Sequence, residues 1–319
     1  MNKFFISALL LTAIALPSCS DDSLEPVSSP SPISANGVQV SVNATIEGSQ
    51  NIAKTHLAYD DALEAKVYKF DGSESMAFYC GSNTSDKSVL SIVSVGANLQ
   101  TAVFKGSVTS ETASSFYGVV PASAASAVDK DGKIAITLPS EQAVAESGQF
   151  DPSAHIITSK SDKYSELTLK TANSFLCVNI PASDENTYKS ITLTSLGGEN
   201  IAGTVLYDPE NCTYTEVEGK MSKSVTITGE FAAGSSCFIS LLPCTLSKGF
   251  KLMATDSDNK LYKLVCSSEV SFKRNSYNKA NSDWKTRLYT LKDLKLDEYN
   301  NQYPQIEKIV FGNYYLFHS

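Results

Sequence analysis

The residues whose types and spacing predict a chemical reaction lie near the start of the chain, at Leu16-Pro17-Ser18-Cys19. A cysteine that directly follows a small residue, with leucine three positions before it, is typical of a lipoprotein leader that is cut before the cysteine. We therefore expect cleavage between Ser18 and Cys19, and acyl chains on Cys19. Each buried methylene contributes about 0.8 kcal/mol, so two or more chains would hold the mature protein on a membrane surface.

The residues before this cysteine predict a removable leader. Lys3 stands in a short polar start and is followed by an apolar run from Phe4 to Leu16. That run is too short for a membrane span, which needs about 20 residues. Residues 1–18 are thus predicted to be a signal peptide. The following Ser20-Asp21-Asp22 resembles the acidic export tag of surface lipoproteins in the Bacteroidota, which implies the outer face of the outer membrane.

Residues 19–36 have the composition of a tether. Their large apolar side chains are Leu24, Val27 and Ile33, with three prolines between Leu24 and Ile33. Such a segment cannot bury enough apolar surface to offset the entropy of ordering it, so we expect a flexible link between lipid and fold. Loss of the leader changes the formal net charge from −8 to −9, and no basic cluster follows. Nucleic acid is therefore excluded as a partner.

Catalysis finds little support in the residue types. The three histidines, His56, His155 and His318, lie far apart, and no metalloprotease, nucleophile-elbow or phosphate-loop motif is present. Asp60 and Asp61 could act as glycosidase carboxylates, but adjacent residues on an extended chain point to opposite faces. The sequence predicts neither an enzyme nor a cofactor.

Two acidic segments invite a calcium interpretation but predict turns. In Asp129-Lys130-Asp131-Gly132 the glycine comes at the fourth position, and Ser140 stands where an EF-hand has its closing glutamate. Asp-Gly is a favoured hairpin pair, so this segment is predicted to join two strands. Asp256 to Asn259 is predicted to be a second turn, and no metal site is expected.

Six cysteines follow Cys19: Cys80, Cys177, Cys212, Cys237, Cys244 and Cys266. Three of them, Cys177, Cys237 and Cys266, lie in apolar strand-like runs, where a free thiol behaves as a small buried hydrophobe. The chain is long enough to form apolar cores without a disulfide framework. Buried thiols are therefore expected, and one disulfide stays open as an alternative. The cysteines are not spaced as CxxC, and the whole chain has three histidines. The sequence therefore offers few ligands for a zinc ion.

The elements that carry these residues are predicted to be strands. Polar and apolar residues alternate through segments such as Val38–Val42, Lys133–Leu138, Ser190–Leu196 and Ser224–Phe231, each bounded by turn residues. This period of two predicts an all-β fold of antiparallel β-sandwiches. Ser140–Ser147 is the clearest candidate for a short helix. The polar segment Ser159–Ser165 predicts a boundary that divides the fold into residues 37–162 and 163–319.

Several short motifs occur in a characteristic order along the first half. They are Phe104-Lys105-Gly106, FYGVVPA at Phe116–Ala122, ITLPSEQ at Ile136–Gln142, and Asp151-Pro152 leading into HIITS at His155–Ser159. The second half opens with Leu167–Pro181 and Ile191–Gly203. In this order the motifs resemble the fimbrillin-like family of Bacteroidales. Phe104 and Tyr117 would lie in the core.

The resemblance implies two tandem transthyretin-like β-sandwiches and a role in a pilus, as stalk, tip or anchor. In that family a trypsin-like protease can remove the first strand, and a strand of a neighbouring subunit fills the groove. Here Val38–Ile46 would be the removable strand, and Lys54 is the first basic residue after it. No arginine precedes Arg274, so an arginine-specific cut is excluded. The alternative for Lys54 is a lysine on a solvated loop.

The implied partners are other pilus subunits, the outer membrane through Cys19, and a surface receptor or glycan. A second function class is a glycan-binding surface lipoprotein, which would share leader, tether and tandem sandwiches. Such proteins usually bind sugars on aromatic platforms, and Trp284 is the single tryptophan, although tyrosines could substitute. The tail Ile306–Phe317 is interpreted as a last strand closing its own sheet, with a donor strand or a subunit contact as alternatives.

Overall fold

The computed structural model describes residues 37–47, 58–60, 65–67, 69–145, 148–281, 286–288, 308–311 and 314–317. The predicted leader and tether, the Ser18–Cys19 cleavage and acylation site and the candidate protease site Lys54 lie outside these residues and stay predictions. His56, Asp61, Trp284 and His318 also lie outside them. Within the described residues, no helix is long and apolar enough to cross a membrane.

The described residues form strands and two short 3-10 turns, Ala122–Ala124 and Pro152–Ala154, so the predicted all-β fold is confirmed. The first twelve strands are β1 (Val38–Ile46), β2 (Ala58–Asp60), β3 (Ala65–Val67), β4 (Ser75–Cys80), β5 (Ser88–Val95), β6 (Thr101–Val108), β7 (Phe116–Val120), β8 (Ala125–Val128), β9 (Ile134–Leu138), β10 (Glu141–Ala143), β11 (Ile157–Ser161) and β12 (Glu166–Thr171). The others are β13 (Ser174–Asn179), β14 (Tyr188–Ser195), β15 (Ala202–Asp208), β16 (Thr213–Ser222), β17 (Ser224–Phe231), β18 (Ser236–Leu241), β19 (Cys244–Leu246), β20 (Phe250–Asp256), β21 (Leu261–Cys266), β22 (Val270–Phe272), β23 (Tyr277–Asn281), β24 (Thr286–Leu288), β25 (Lys308–Phe311) and β26 (Tyr314–Phe317).

Seven strands form a closed barrel in the order β1-β12-β11-β7-β4-β5-β6. Its interior is a cluster of buried side chains that includes Phe70, Phe78, Leu90 and Phe104. The alternation of buried and exposed residues along β1 and β12 is the pattern expected of strands with one face in a core. Closure removes the free edges that an open sheet would present.

Strand β7 is buried on both faces, which explains its unbroken run FYGVV. Phe116 and Val120 belong to the barrel interior, whereas Tyr117 and Val119 belong to a second, larger cluster built mainly from the later strands. Strand β4 divides its side chains in the same way, with Phe78 inside the barrel and Tyr79 in the second cluster. The barrel and the later sheets therefore share one wall. Phe104 and Tyr117 are core residues, as predicted.

The later strands form several smaller sheets around the second cluster. The largest has the order β10-β17-β14-β20-β21-β24, a four-stranded sheet has the order β16-β15-β9-β8, and a three-stranded sheet has the order β18-β13-β23. Strand pairs β2-β3, β19-β22 and β25-β26 form two-stranded sheets. Among the described residues, the tail strands β25 and β26 pair with each other. The interpretation of the tail as a last strand closing its own sheet stays a prediction.

Two sequence expectations need correction. The helix predicted at Ser140–Ser147 is wrong, because Glu141–Ala143 forms β10 and pairs with β17. Buried Gln142 holds this strand, since its side-chain amide donates to the carbonyl of Ser240 and its side-chain oxygen accepts from the Ser240 amide. The pairing is also not antiparallel throughout, because β1-β12, β10-β17 and β13-β23 are parallel.

Strand pairing also crosses the division predicted between residues 162 and 163. Strand β12 follows that division but completes the barrel between β1 and β11. Strands β9 and β10 precede it but pair with β15 and β17. The two halves are therefore joined by hydrogen-bonded strands, and the described residues belong to one compact unit. The domain division stays a prediction.

Both predicted turns join antiparallel strands. The Asp129 carboxylate accepts hydrogen bonds from the amides of Asp131 and Lys133 in the turn between β8 and β9. Asp256 accepts from the Lys260 amide at 2.7 Å in the turn between β20 and β21. Each carboxylate is thus used to close its own turn. In the described residues no group of three His, Cys, Asp or Glu side chains is placed to hold a metal ion.

All six described cysteines are free thiols, and Cys177 and Cys237 are buried. Burial also raises the pKa of the Cys237 thiol well above its ordinary value, and raises that of Cys244 to about 12. Because the thiolate is the reactive form, we expect Cys177 and Cys237 to be alkylated only after unfolding. Mass spectrometry after iodoacetamide treatment, with and without urea, checks this. Labelling of Cys237 in the native protein at the rate of an unfolded thiol would contradict it.

Candidate functional site

Strand β1 is the element on which the predicted function depends, and it lies between two barrel strands. It pairs antiparallel with β6 from Val38 opposite Val108 to Thr45 opposite Thr101. On its other side it pairs parallel with β12, from Asn43 opposite Glu166 to Ile46 opposite Leu169. The strand predicted to be removable therefore belongs to the barrel, with β6 beside it from Val38 to Thr45 and β12 beside it from Asn43 to Ile46.

The inner face of β1 carries four buried apolar side chains at alternate positions, Val40, Val42, Ala44 and Ile46. Val42 is 0% exposed and pairs with Phe104 on β6. The intervening residues Ser41, Asn43 and Thr45 are exposed. The space that β1 occupies is thus an apolar trough between β6 and β12, with room for one strand of alternating pattern. We call this space the β1 groove.

The carboxyl end of β1 is fixed by Glu47. Its amide donates to the Leu169 carbonyl at 2.8 Å, and its Oε1 accepts from the Thr171 amide at 2.9 Å. The Arg274 guanidinium forms an ion pair with the same carboxylate, through Nη1 to Oε1 and through Nη2 to Oε2 at 3.1 Å. Arg274 Nη1 also donates to the Thr171 carbonyl at 2.8 Å. One carboxylate thus joins β1, β12 and a distant turn.

The turn that presents Arg274 lies between β22 and β23. It is held by the Asn275 amide, which donates to the Asn173 carbonyl at 3.0 Å, and by the Ser276 carbonyl, which accepts from Ser174 Oγ at 2.9 Å. Asn275 adopts a φ of 54°, a left-handed conformation that asparagine tolerates better than most residues. The hydrogen bond to Glu47 raises the pKa of Arg274 above its ordinary value, so the arginine is charged at every accessible pH.

The Glu47–Arg274 pair was not found from the sequence. The two residues are 227 positions apart, and neither belongs to a recognisable motif. Glu47 lies directly after the alternating run of β1, and Arg274 is the first arginine of the chain. These two facts are the signals that were present, and neither predicts that the side chains meet.

His155 is a core residue rather than part of a catalytic group. Its ring packs at 5.1 Å from Phe150 and 5.4 Å from Phe175, measured between ring centroids. Nε2 lies 3.4 Å from Thr171 Oγ1. Burial lowers the pKa of His155 to about 3, so the imidazole is neutral at physiological pH.

A cavity of about 330 Å³ lies where the barrel meets the loop before Pro152. Its lining includes Lys69, Glu74, Pro121 and Phe150, and Phe150 is the one aromatic side chain among the described lining residues. Sugar-binding faces usually present exposed aromatic rings, whereas Phe150 is buried against His155 and Phe175. The cavity therefore gives the glycan-binding alternative little support.

Comparison with family models finds no match, and comparison with curated proteins finds none either. Solved structures do match. A "putative cell adhesion protein" from Bacteroides ovatus is 10% identical, with 80% of this chain and 95% of that chain covered and a TM-score of 0.44. The tip fimbrial protein Mfa3 of Porphyromonas gingivalis is 14% identical, with 72% and 81% covered and a TM-score of 0.32. A fimbrial protein from Bacteroides ovatus is 11% identical, with 78% and 49% covered and a TM-score of 0.34. These are adhesion and fimbrial proteins of Bacteroidales, the order whose fimbrillin-like proteins the sequence motifs resemble.

Proposed function

We propose that this chain is a non-enzymatic fimbrial subunit or fimbria-associated surface lipoprotein, and that β1 is the strand exchanged during assembly. The acyl chains predicted on Cys19 would hold the uncut protein on the outer membrane. The observation that carries the proposal is the position of β1, which completes the barrel and is the first described strand of the chain.

Removal of β1 would create a binding site of defined chemistry. The facing edges of β6 and β12 would lose their hydrogen-bond partners, and the places of Val40, Val42, Ala44 and Ile46 would be empty. Unpaired strand edges and exposed apolar surface both favour capture of another strand. A strand donated by a neighbouring subunit would satisfy the backbone and refill the trough in one step.

The two neighbours of β1 also fix the direction of a replacement strand. The occupant must run antiparallel to β6 and parallel to β12 to reproduce the hydrogen bonds of β1. Antiparallel and parallel ladders have different hydrogen-bond patterns, so a reversed strand would match neither edge. The groove therefore accepts a strand in one direction, and this single direction suits head-to-tail assembly.

Cleavage at Lys54 would separate the predicted anchor and β1 from the rest of the fold. The same cut would therefore release the protein from the membrane and open the groove. An uncut chain would keep its barrel closed and serve as an anchor or as a surface binder. This proposal links the state of the N-terminus to the role of each molecule.

The test is to determine the N-terminus and attached mass of the protein purified from the outer membrane and from sheared fimbriae of its native host. A terminus downstream of Ile46 without acyl chains, especially at Thr55, would support a polymerising subunit. An acylated Cys19 as the single terminus would count against polymerisation by strand removal. Absence from the fimbrial fraction together with saturable sugar binding would favour the glycan-binding alternative.

A further inference from the structure

The β1 groove ends at a cationic side chain that lies on a different part of the fold. Arg274 comes from the turn between β22 and β23, whereas the groove is bounded by β6 and β12. Its side chain is 28% exposed and that of Glu47 is 20% exposed, so the pair is largely withdrawn from solvent. Loss of β1 would leave this cation without the carboxylate that it binds.

We infer that Arg274 selects the strand that fills the β1 groove, and that the preferred occupant carries a carboxylate directly after its last buried apolar residue. This inference rests on the strand exchange proposed above. It specifies the partner as a strand of four alternating apolar side chains followed at once by glutamate, the pattern of Val40, Val42, Ala44, Ile46 and Glu47.

The hydrogen-bond donors that bind the carboxylate belong to the subunit that accepts the strand, which we call the host. They stay in place when β1 leaves. The Thr171 amide donates to Glu47 Oε1, and the Thr171 carbonyl accepts from Arg274 Nη1. The second of these bonds holds the guanidinium over the end of the groove without help from β1. A planar guanidinium held in this way matches a carboxylate through two parallel hydrogen bonds, which a neutral amide cannot reproduce.

A neutral residue in place of Glu47 in the donated strand would leave two hydrogen-bond donors poorly satisfied. The Thr171 amide and the Arg274 guanidinium would both lose a charged acceptor in a site that solvent reaches only partly. Hydrogen bonds to charged groups are stronger than neutral ones, and a partly buried cation without its partner is destabilising. Discrimination between donor strands therefore follows from one position outside the apolar pattern.

The same contact fixes the register of the occupant. Apolar alternation alone permits a slip by two residues, because every second side chain still points inward. Such a slip would move the carboxylate by about 7 Å, since a strand rises about 3.3 Å per residue. The carboxylate would then lie out of reach of Arg274. Arg274 thus marks the correct register, which the trough by itself does not.

The test uses the full-length chain with a sequence-specific protease site in place of residues 49–54. After cleavage, β1 stays bound non-covalently, and fluorescent peptides compete for its place. The unmodified peptide covers residues 37–48, and variant peptides carry Glu47→Gln or, as a control for the trough, Val42→Asp. Fluorescence anisotropy measures the affinity of each peptide for the wild-type host and for hosts with Arg274→Gln or Arg274→Lys.

On the wild-type host we expect the Glu47→Gln peptide to bind about 10- to 100-fold more weakly than the unmodified peptide. On the Arg274→Gln host this preference should fall below about threefold, and Arg274→Lys, which keeps the charge but loses the fork, should be intermediate. Equal binding of both peptides to the wild-type host would overturn the inference and leave strand exchange intact.

A different result would overturn the proposed function itself. If no peptide, including the unmodified one, displaces β1 from a cut host that circular dichroism shows to be folded, strand exchange fails and the inference fails with it. The comparison of peptides on the wild-type host requires no mutant host to fold. A destabilised Arg274→Gln chain therefore cannot hide the answer.

Discussion

Replacement of Val42 by aspartate is expected to lower the free energy of unfolding by about 4 kcal/mol or more. Val42 is 0% exposed, pairs with Phe104 and belongs to the barrel cluster. Aspartate would place a carboxylate without a partner among apolar side chains, which is among the most destabilising of single substitutions. Urea unfolding of the uncut chain, followed by circular dichroism, measures the effect.

Ser41→Asp is the matched control, because it puts the same side chain on the adjacent residue of the same strand. Ser41 is exposed and lies opposite Lys105 of β6, so this change should alter stability by no more than about 0.5 kcal/mol. Equal effects of the two substitutions would mean that β1 is not held in the barrel of the uncut chain. The groove on which the proposed assembly depends would then not exist in that form.

The first strand could be predicted from the sequence because its pattern is local. In VQVSVNATI every second residue from Val40 is apolar, and each of these is buried. The turns at Asp129 and Asp256 were equally predictable, since their carboxylates bond to amides two to four residues away. Features of this kind depend on neighbours in the chain.

The features that the sequence did not reveal depend on distant residues. Ser140–Ser147 was predicted to be a short helix because Ser140 could cap its first turn. The edge of β17 and the carbonyl and amide of Ser240 instead make Glu141–Ala143 a strand. The parallel pairing of β1 with β12 joins segments more than a hundred residues apart. Glu47 and Arg274 are still farther apart in the sequence. Each is a single residue outside a strand, so no periodic sequence pattern predicts their contact.

These two kinds of feature have different roles in the proposed assembly. The alternating pattern of β1 is easily imitated, because many strands carry apolar residues at every second position. The charged contact at its end is specific, because it requires one residue type at one position. A subunit that recognises both features would bind the donated strand strongly through the apolar trough and would distinguish between donor strands through Arg274.

The second large effect is expected from the buried histidine and depends on pH. Burial lowers the pKa of His155 from 6.5 to about 3, so the folded protein keeps the ring neutral where the unfolded chain takes up a proton. The contribution of His155 to the free energy of unfolding is therefore fully present above pH 6.5 and is lost as the pH falls toward 3. Each pH unit below 6.5 lowers the free energy of unfolding by about 1.4 kcal/mol. We therefore expect the free energy of unfolding to fall by about 3 kcal/mol between pH 7 and pH 4.

His155→Leu removes the titrating group and should flatten this dependence, although it also changes packing against Phe150 and Phe175. The informative quantity is therefore the difference in unfolding free energy between wild type and variant, measured by urea unfolding at pH 7, 6, 5 and 4. Thr171→Val is the control, since it removes the hydroxyl near Nε2 without removing a titrating group, and should shift stability equally at every pH. Parallel wild-type and His155→Leu profiles would show that the histidine is protonated or solvated in the folded state.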